Sequence, residues 1–201
     1  MRRIFAPLAS SVAAILMAVP ASAATYVFAS PLSPEVSGAT GSGLAQATFD
    51  TDAHILAITA NWTGLTGVTT ISHIHCCVAP PGTVGVAVTP GTLPGFPSVV
   101  TSGTYSTTLD LTQPTTYTGG FLNTFGGGTV AGAETALLSG LQSGTAYFNI
   151  HTNVFPSGEI RGFLSPVPEP AAWAMMLLGF GMVGAAMRSA KRRQNLTPSY
   201  N

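Results

Sequence analysis

Positive charge is almost missing from the middle of this chain. Between residues 24 and 165 there is no lysine and a single arginine, Arg161. The other basic residues, Arg2, Arg3, Arg188, Lys191, Arg192 and Arg193, all lie near the two ends. Against Arg161 stand Glu35, Asp50, Asp52, Asp110, Glu134 and Glu159, so the middle is mildly acidic. Such a surface has no basic patch for a phosphate backbone, which argues against nucleic-acid binding. Cysteine is scarce as well. The only two, Cys76 and Cys77, are neighbours and cannot staple a fold across its length. Catalytic signatures are missing too. There is no Gly-x-Ser-x-Gly elbow. The glycines at 126–128 lack the lysine and the βαβ context of a phosphate cradle. Asp50 and Asp52 flank a turn, where a carboxylate pair is ordinarily just solvated. No internal repeat is visible. These absences point away from an enzyme.

What is present starts at the ends. Met1-Arg2-Arg3 is a basic n-region, Ile4 to Val19 carries no charge, and Ala21-Ser22-Ala23 is a small-residue cleavage site. This predicts a secretory signal peptide over residues 1–23, cut after Ala23 and no part of the fold. Near the other end, Val167-Pro168-Glu169-Pro170 precedes an uncharged run from Ala171 to Met187, and a basic cluster follows. The prolines punctuate the start of a hydrophobic helix. The run of 17 residues is at the short end of what spans a bilayer, roughly 17–25 residues. The basic cluster behind it would stay on the cytoplasmic side. This order resembles the PEP-CTERM sorting signal of Gram-negative bacteria, and Pro168, Glu169 and Pro170 carry the resemblance. It implies recognition of residues 166–201 by an exosortase-type membrane enzyme, with cleavage near the triplet. It also implies a transient inner-membrane anchor through a transmembrane helix, then delivery to the cell surface or an extracellular matrix.

Residues 24–165 read as one all-β domain, long enough to bury a normal core without staples. Short runs rich in Thr, Val, Ile, Phe and Tyr alternate with Gly, Pro, Ser and Asn clusters. The expected strands are Thr25 to Ala29, Gly43 to Asp50, Ile55 to Trp62, Ile71 to Cys77, Gly103 to Leu109, Thr145 to His151 and Glu159 to Leu164. One helix is expected from Val130 to Ser139, with Gly140 as its stop. Pro80 to Pro97 holds five prolines and four glycines, which predicts a long loop with at most a short strand. Many short strands with frequent turns suggest a sandwich or barrel.

Two segments order their polar groups. On a strand, successive side chains alternate faces. In Ser72-His73-Ile74-His75-Cys76-Cys77, His73, His75 and Cys77 therefore share a face. In Tyr147-Phe148-Asn149-Ile150-His151, Phe148 and Ile150 form an apolar face, and Tyr147, Asn149 and His151 the opposite one. Pro156-Ser157-Gly158 then turns the chain into Glu159-Ile160-Arg161-Gly162, giving a hairpin in which Asn149, Glu159 and Arg161 are structural. These blocks, with Leu65 and the Ala-Leu-Leu-Ser-Gly-Leu segment at 136–141, resemble the CHRD domain, which is common in exported bacterial proteins. The resemblance covers most of residues 25–164. It implies an immunoglobulin-like β-sandwich, distantly similar to Cu/Zn superoxide dismutase, and no settled biochemical activity.

His73, His75 and His151 are then the candidate metal ligands, with Cys77 on the same face. Three imidazoles suit Cu or Zn. A dismutase needs more: no histidine lies between His75 and His151, and His54 precedes the motif. The competing expectation is structural, with the histidines paired to Glu159, Arg161, Asn149 and Thr152 and no cofactor. The cysteines stand either as a buried free thiol beside an exposed one, or as a vicinal or intermolecular bridge. Across a trans peptide their Cα atoms would be about 3.8 Å apart, below the usual disulfide span of roughly 4.4–6.8 Å. The expected role is that of a structural or adhesive module of the cell surface or exopolysaccharide matrix, with polysaccharide or surface proteins as partners. The alternative is a small surface metal-binding protein using the three histidines.

Overall fold

The structure is a computed structural model and describes residues 25–168 and 170–194. The expected signal peptide and Glu169 lie outside the described residues.

Period-two alternation builds the first hairpins. In β1 (Thr25–Pro34) Phe28, Ser30 and Leu32 turn inward. Antiparallel to it, β2 (Ser42–Asp50) buries Ala45, Ala47 and Phe49, and β3 (Ile55–Thr63) buries Leu56, Ile58, Ala60 and Trp62. The small alanines of β2 leave room for the larger side chains of β3 facing the same core. Next come β4 (Thr69–His75), the short β5 (Val86–Val88), β6 (Gly103–Asp110), α1 (Gly119–Thr124), α2 (Val130–Gln142), β7 (Tyr147–Thr152), β8 (Ile160–Phe163), the two-residue β9 (Ser165–Pro166) and α3 (Pro170–Gln194).

The strands pair in the order β5-β4-β7-β8-β1-β2-β3-β6, and β9 adds to β1. This is one antiparallel sheet curled strongly into a half-barrel, and it corrects the expected two-sheet sandwich. The cause is the length of β1. Residues 25–32 pair with β2, and Ser33 and Pro34 then pair with Arg161 and Ile160 of β8. One strand thereby joins the two ladders. The prolines and serines of residues 30–34 look like turn material, so the sequence reading ends β1 at Ala29, before the join. The helix α2 closes over the core with Ala133, Leu137 and Leu141.

Gly140 does not stop α2. The helix runs two residues further, and the left-handed residue beyond it is Gly144, with φ +67°. Gly140 is there for contact: a Cβ on it would lie 2.7 Å from Cys77 Sγ and closer still to Cys76 Sγ. Those sulfurs are joined as a vicinal disulfide, so neither cysteine is a free thiol.

The tail helix α3 carries exposed apolar side chains, among them Met175, Leu177 and Phe180. Its uncharged stretch of 17 residues includes three glycines. At about 1.5 Å per residue it falls short of a hydrocarbon core of about 30 Å. Among the described residues no helix is long and apolar enough to cross a membrane.

Candidate functional site

Strand pairing assembles the site. In the ladder between β4 and β7, His73 pairs with Asn149, His75 with Tyr147, and Ile71 with His151. The ladder between β7 and β8 adds Arg161 beside Asn149 and Phe163 beside Tyr147. Phe148 and Ile150 face the core, fully buried. The opposite face of β7 is buried as well, because the Pro- and Gly-rich segment after β4 and the turn before β8 reach over it. His73, His75 and His151 are 6–8% exposed and lie just under the surface. One ring nitrogen from each lies within 4.8 Å of the others.

The outer nitrogens identify the tautomers. His73 Nε2 lies 2.9 Å from the carbonyl of Gly91, His75 Nδ1 2.7 Å from that of Val84, and His151 Nδ1 2.8 Å from that of Pro156. A carbonyl only accepts, so each of these nitrogens donates. In the neutral rings, His73 Nδ1, His75 Nε2 and His151 Nε2 then carry lone pairs, and all three turn inward. His73 Nδ1 and His151 Nε2 face each other at 3.1 Å with no proton between them. His75 Nε2 is buried without a hydrogen-bond partner, and so is Asn149 Oδ1. Three ring lone pairs thus face one another, with the Asn149 side chain beside His75. Burial lowers the proton affinity of all three rings, and it holds His75 down to about 4. The site therefore disfavours the proton.

This is how a histidine metal centre is oriented: the far N–H of each ligand is tied to an acceptor that fixes ring and tautomer. Bonds of about 2.0–2.1 Å would set the nitrogens about 3.3–3.6 Å apart. The closest pair, His73 Nδ1 and His151 Nε2 at 3.1 Å, is near that already.

The surrounding residues hold the strands without supplying ligands. Tyr147 stacks on His75 with ring centroids 4.6 Å apart, and the Arg161 guanidinium lies over Tyr147 at 5.1 Å. Arg161 is anchored by Glu35 at 3.7 Å and donates to the carbonyls of Pro81 and Gly82. Burial pushes the Glu35 carboxyl up, opposed by the charge of Arg161 and by Asn149. Glu159 is fully buried and accepts from Thr152 Oγ1 at 2.7 Å, from the Gly67 amide at 3.1 Å and from the Thr66 amide. Burial pushes its carboxyl up, but these donors outweigh burial and hold it below its ordinary value.

Several expectations change here. Glu159, Arg161 and Thr152 do not partner the histidines; backbone carbonyls do. Cys77 does not join the site. Its sulfur is bonded to Cys76 and lies against Gly140 and the Ala136 carbonyl of α2. Of the alternatives stated above for the two cysteines, the structure has the vicinal bridge. The sequence reading brings together His73, His75 and His151 by strand alternation. It misses Val84, Gly91 and Pro156, which act through their carbonyls and so leave no side-chain signal. It also misses Glu35, a lone carboxylate before a turn.

A histidine cluster on a curled β-sheet is followed by a proline-flanked apolar helix. The CHRD domain model matches residues 22–164, more than half of the chain, and the chain belongs to that family. Residues 166–193 match the PEP-CTERM protein-sorting motif, which implies export, processing by an exosortase and sorting to the cell surface. No curated protein and no solved structure matches the chain.

Proposed function

We propose that this chain is a non-catalytic module of the cell surface or exopolysaccharide matrix that binds one transition-metal ion at His73, His75 and His151. The observation that carries the metal reading is the convergence of three lone pairs whose outer N–H groups are each tied to a backbone carbonyl. Neutral imidazoles select copper or zinc over calcium or magnesium, which prefer oxygen. Export supports the reading, since it places the site where it meets ions from the surroundings. Before cleavage near Pro168 to Pro170, the apolar part of α3 keeps the chain at the inner membrane of a Gram-negative cell, where an exosortase-type enzyme reaches it.

A matrix role has its own support. The outward faces of β3 and β6 align Asn61 with Thr104 and Thr59 with Ser106, all exposed and uncharged. Such a face suits a neutral polysaccharide or a surface protein.

Copper and zinc titration of the purified full-length protein tests the metal reading. One ion per chain is expected, with most of the affinity lost in His151→Ala, because His73 and His75 alone form a loose site on one strand. Absence of stoichiometric binding would return the histidines to a purely structural role.

A further inference from the structure

We infer, on the reading that the three histidines hold a metal, that the ion is monovalent copper bound by three nitrogens in preference to zinc or cupric ion. The donor set is neutral. Among the described residues, the group that converges holds histidines only, without a carboxylate or a thiolate. The nearby anions are engaged elsewhere: Glu35 with Arg161, and Glu159 with Thr152, Thr66 and Gly67. The two sulfurs are bonded to each other.

Charge then discriminates between the ions. The cost of taking a bare ion out of water rises with the square of its charge, so a dication costs about four times as much as a monocation. Nothing in the site neutralises that extra charge.

Donor number points the same way. Zinc completes a tetrahedron of four ligands, so three histidines hold it only with a water in the fourth place. The site offers three nitrogens, and Asn149 Oδ1 is buried without a partner. That amide oxygen is a hard donor and suits harder cations. Cuprous ion, with a filled d shell, is satisfied by three neutral nitrogens. The carbonyls of Gly91, Val84 and Pro156 restrain each ring, so the rings resist opening to admit further ligands.

The experiment is a pair of competition titrations on the purified full-length protein. Cuprous ion is set against bicinchoninate without oxygen, and zinc against a chromogenic zinc chelator. One Cu(I) per chain is expected, with an affinity about 100-fold or more above that for Zn(II). X-ray absorption of the copper form should show three nitrogen neighbours and no sulfur. Asn149→Asp, which sets a carboxylate beside the lone pairs, should narrow the preference about tenfold or more. Zinc or cupric ion binding as tightly as cuprous ion, a sulfur ligand, or an unchanged preference in Asn149→Asp would overturn the inference while leaving a three-histidine metal site. Failure to bind either ion would overturn both.

Discussion

His75 is the residue on which the site's pH behaviour turns. Burial holds its folded value down to about 4, against an ordinary 6.5. Above pH 6.5 the ring is neutral in both the folded and unfolded chain and contributes nothing to the pH dependence. Below that, the unfolded chain takes up a proton that the folded chain refuses. Stability of the metal-free protein should therefore fall as pH drops from about 6.5 toward 4, by about 3 kcal/mol at most from this ring. Burial lowers His73 and His151 in the same direction. Denaturant melts across this range check the slope, and flat stability would contradict the neutral-ring description. A second outcome follows by linkage. Metal at 100 times its dissociation constant should stabilise the wild type by about 2.7 kcal/mol and add nothing to His151→Ala.

At the scale of elements, the strands of the hairpins and the polar faces of β4 and β7 were legible in the sequence because alternation is a local signal. The join through β1 was not, since Pro31 and Pro34 look like turn residues until Ser33 and Pro34 are seen paired with β8. The role of Gly140 was also hidden, because a helix glycine resembles a stop and the sulfurs it meets are more than sixty positions away. Gly140→Ala should lower stability by about 1–3 kcal/mol through overpacking against the disulfide, read in chemical denaturation. A neutral effect would mean that α2 sits further from Cys76 and Cys77. A second contact ties α2 to the sheet: His54 Nδ1 lies 2.9 Å from Glu134 Oε1. The Glu134 hydrogen bond and charge raise the His54 value above 6.5. Its contribution is fully present below pH 6.5 and is lost as pH rises through the raised folded value. His54→Gln should remove that alkaline-side loss from the pH–stability profile. An unchanged profile would show that the exposed pair contributes nothing.

Across the whole molecule, the division of labour follows charge. Cationic residues other than Arg161 sit at the ends, and the folded domain keeps a neutral to acidic surface around a cluster of neutral donors. The domain and its sorting motif were legible from short ordered patterns, Pro-Glu-Pro before an apolar run and two histidine-bearing strands. What the histidines do was not, because their state depends on which carbonyls their outer nitrogens find. Native intact-mass measurement of the mature protein released from the cell surface tests the account most directly. The account predicts a chain that begins after Ala23, lacks the tail from about Pro168, and carries the mass of one copper ion that disappears in His151→Ala. A surface protein that retains Arg188 to Asn201, or one that stays metal-free when supplied with copper, would contradict it.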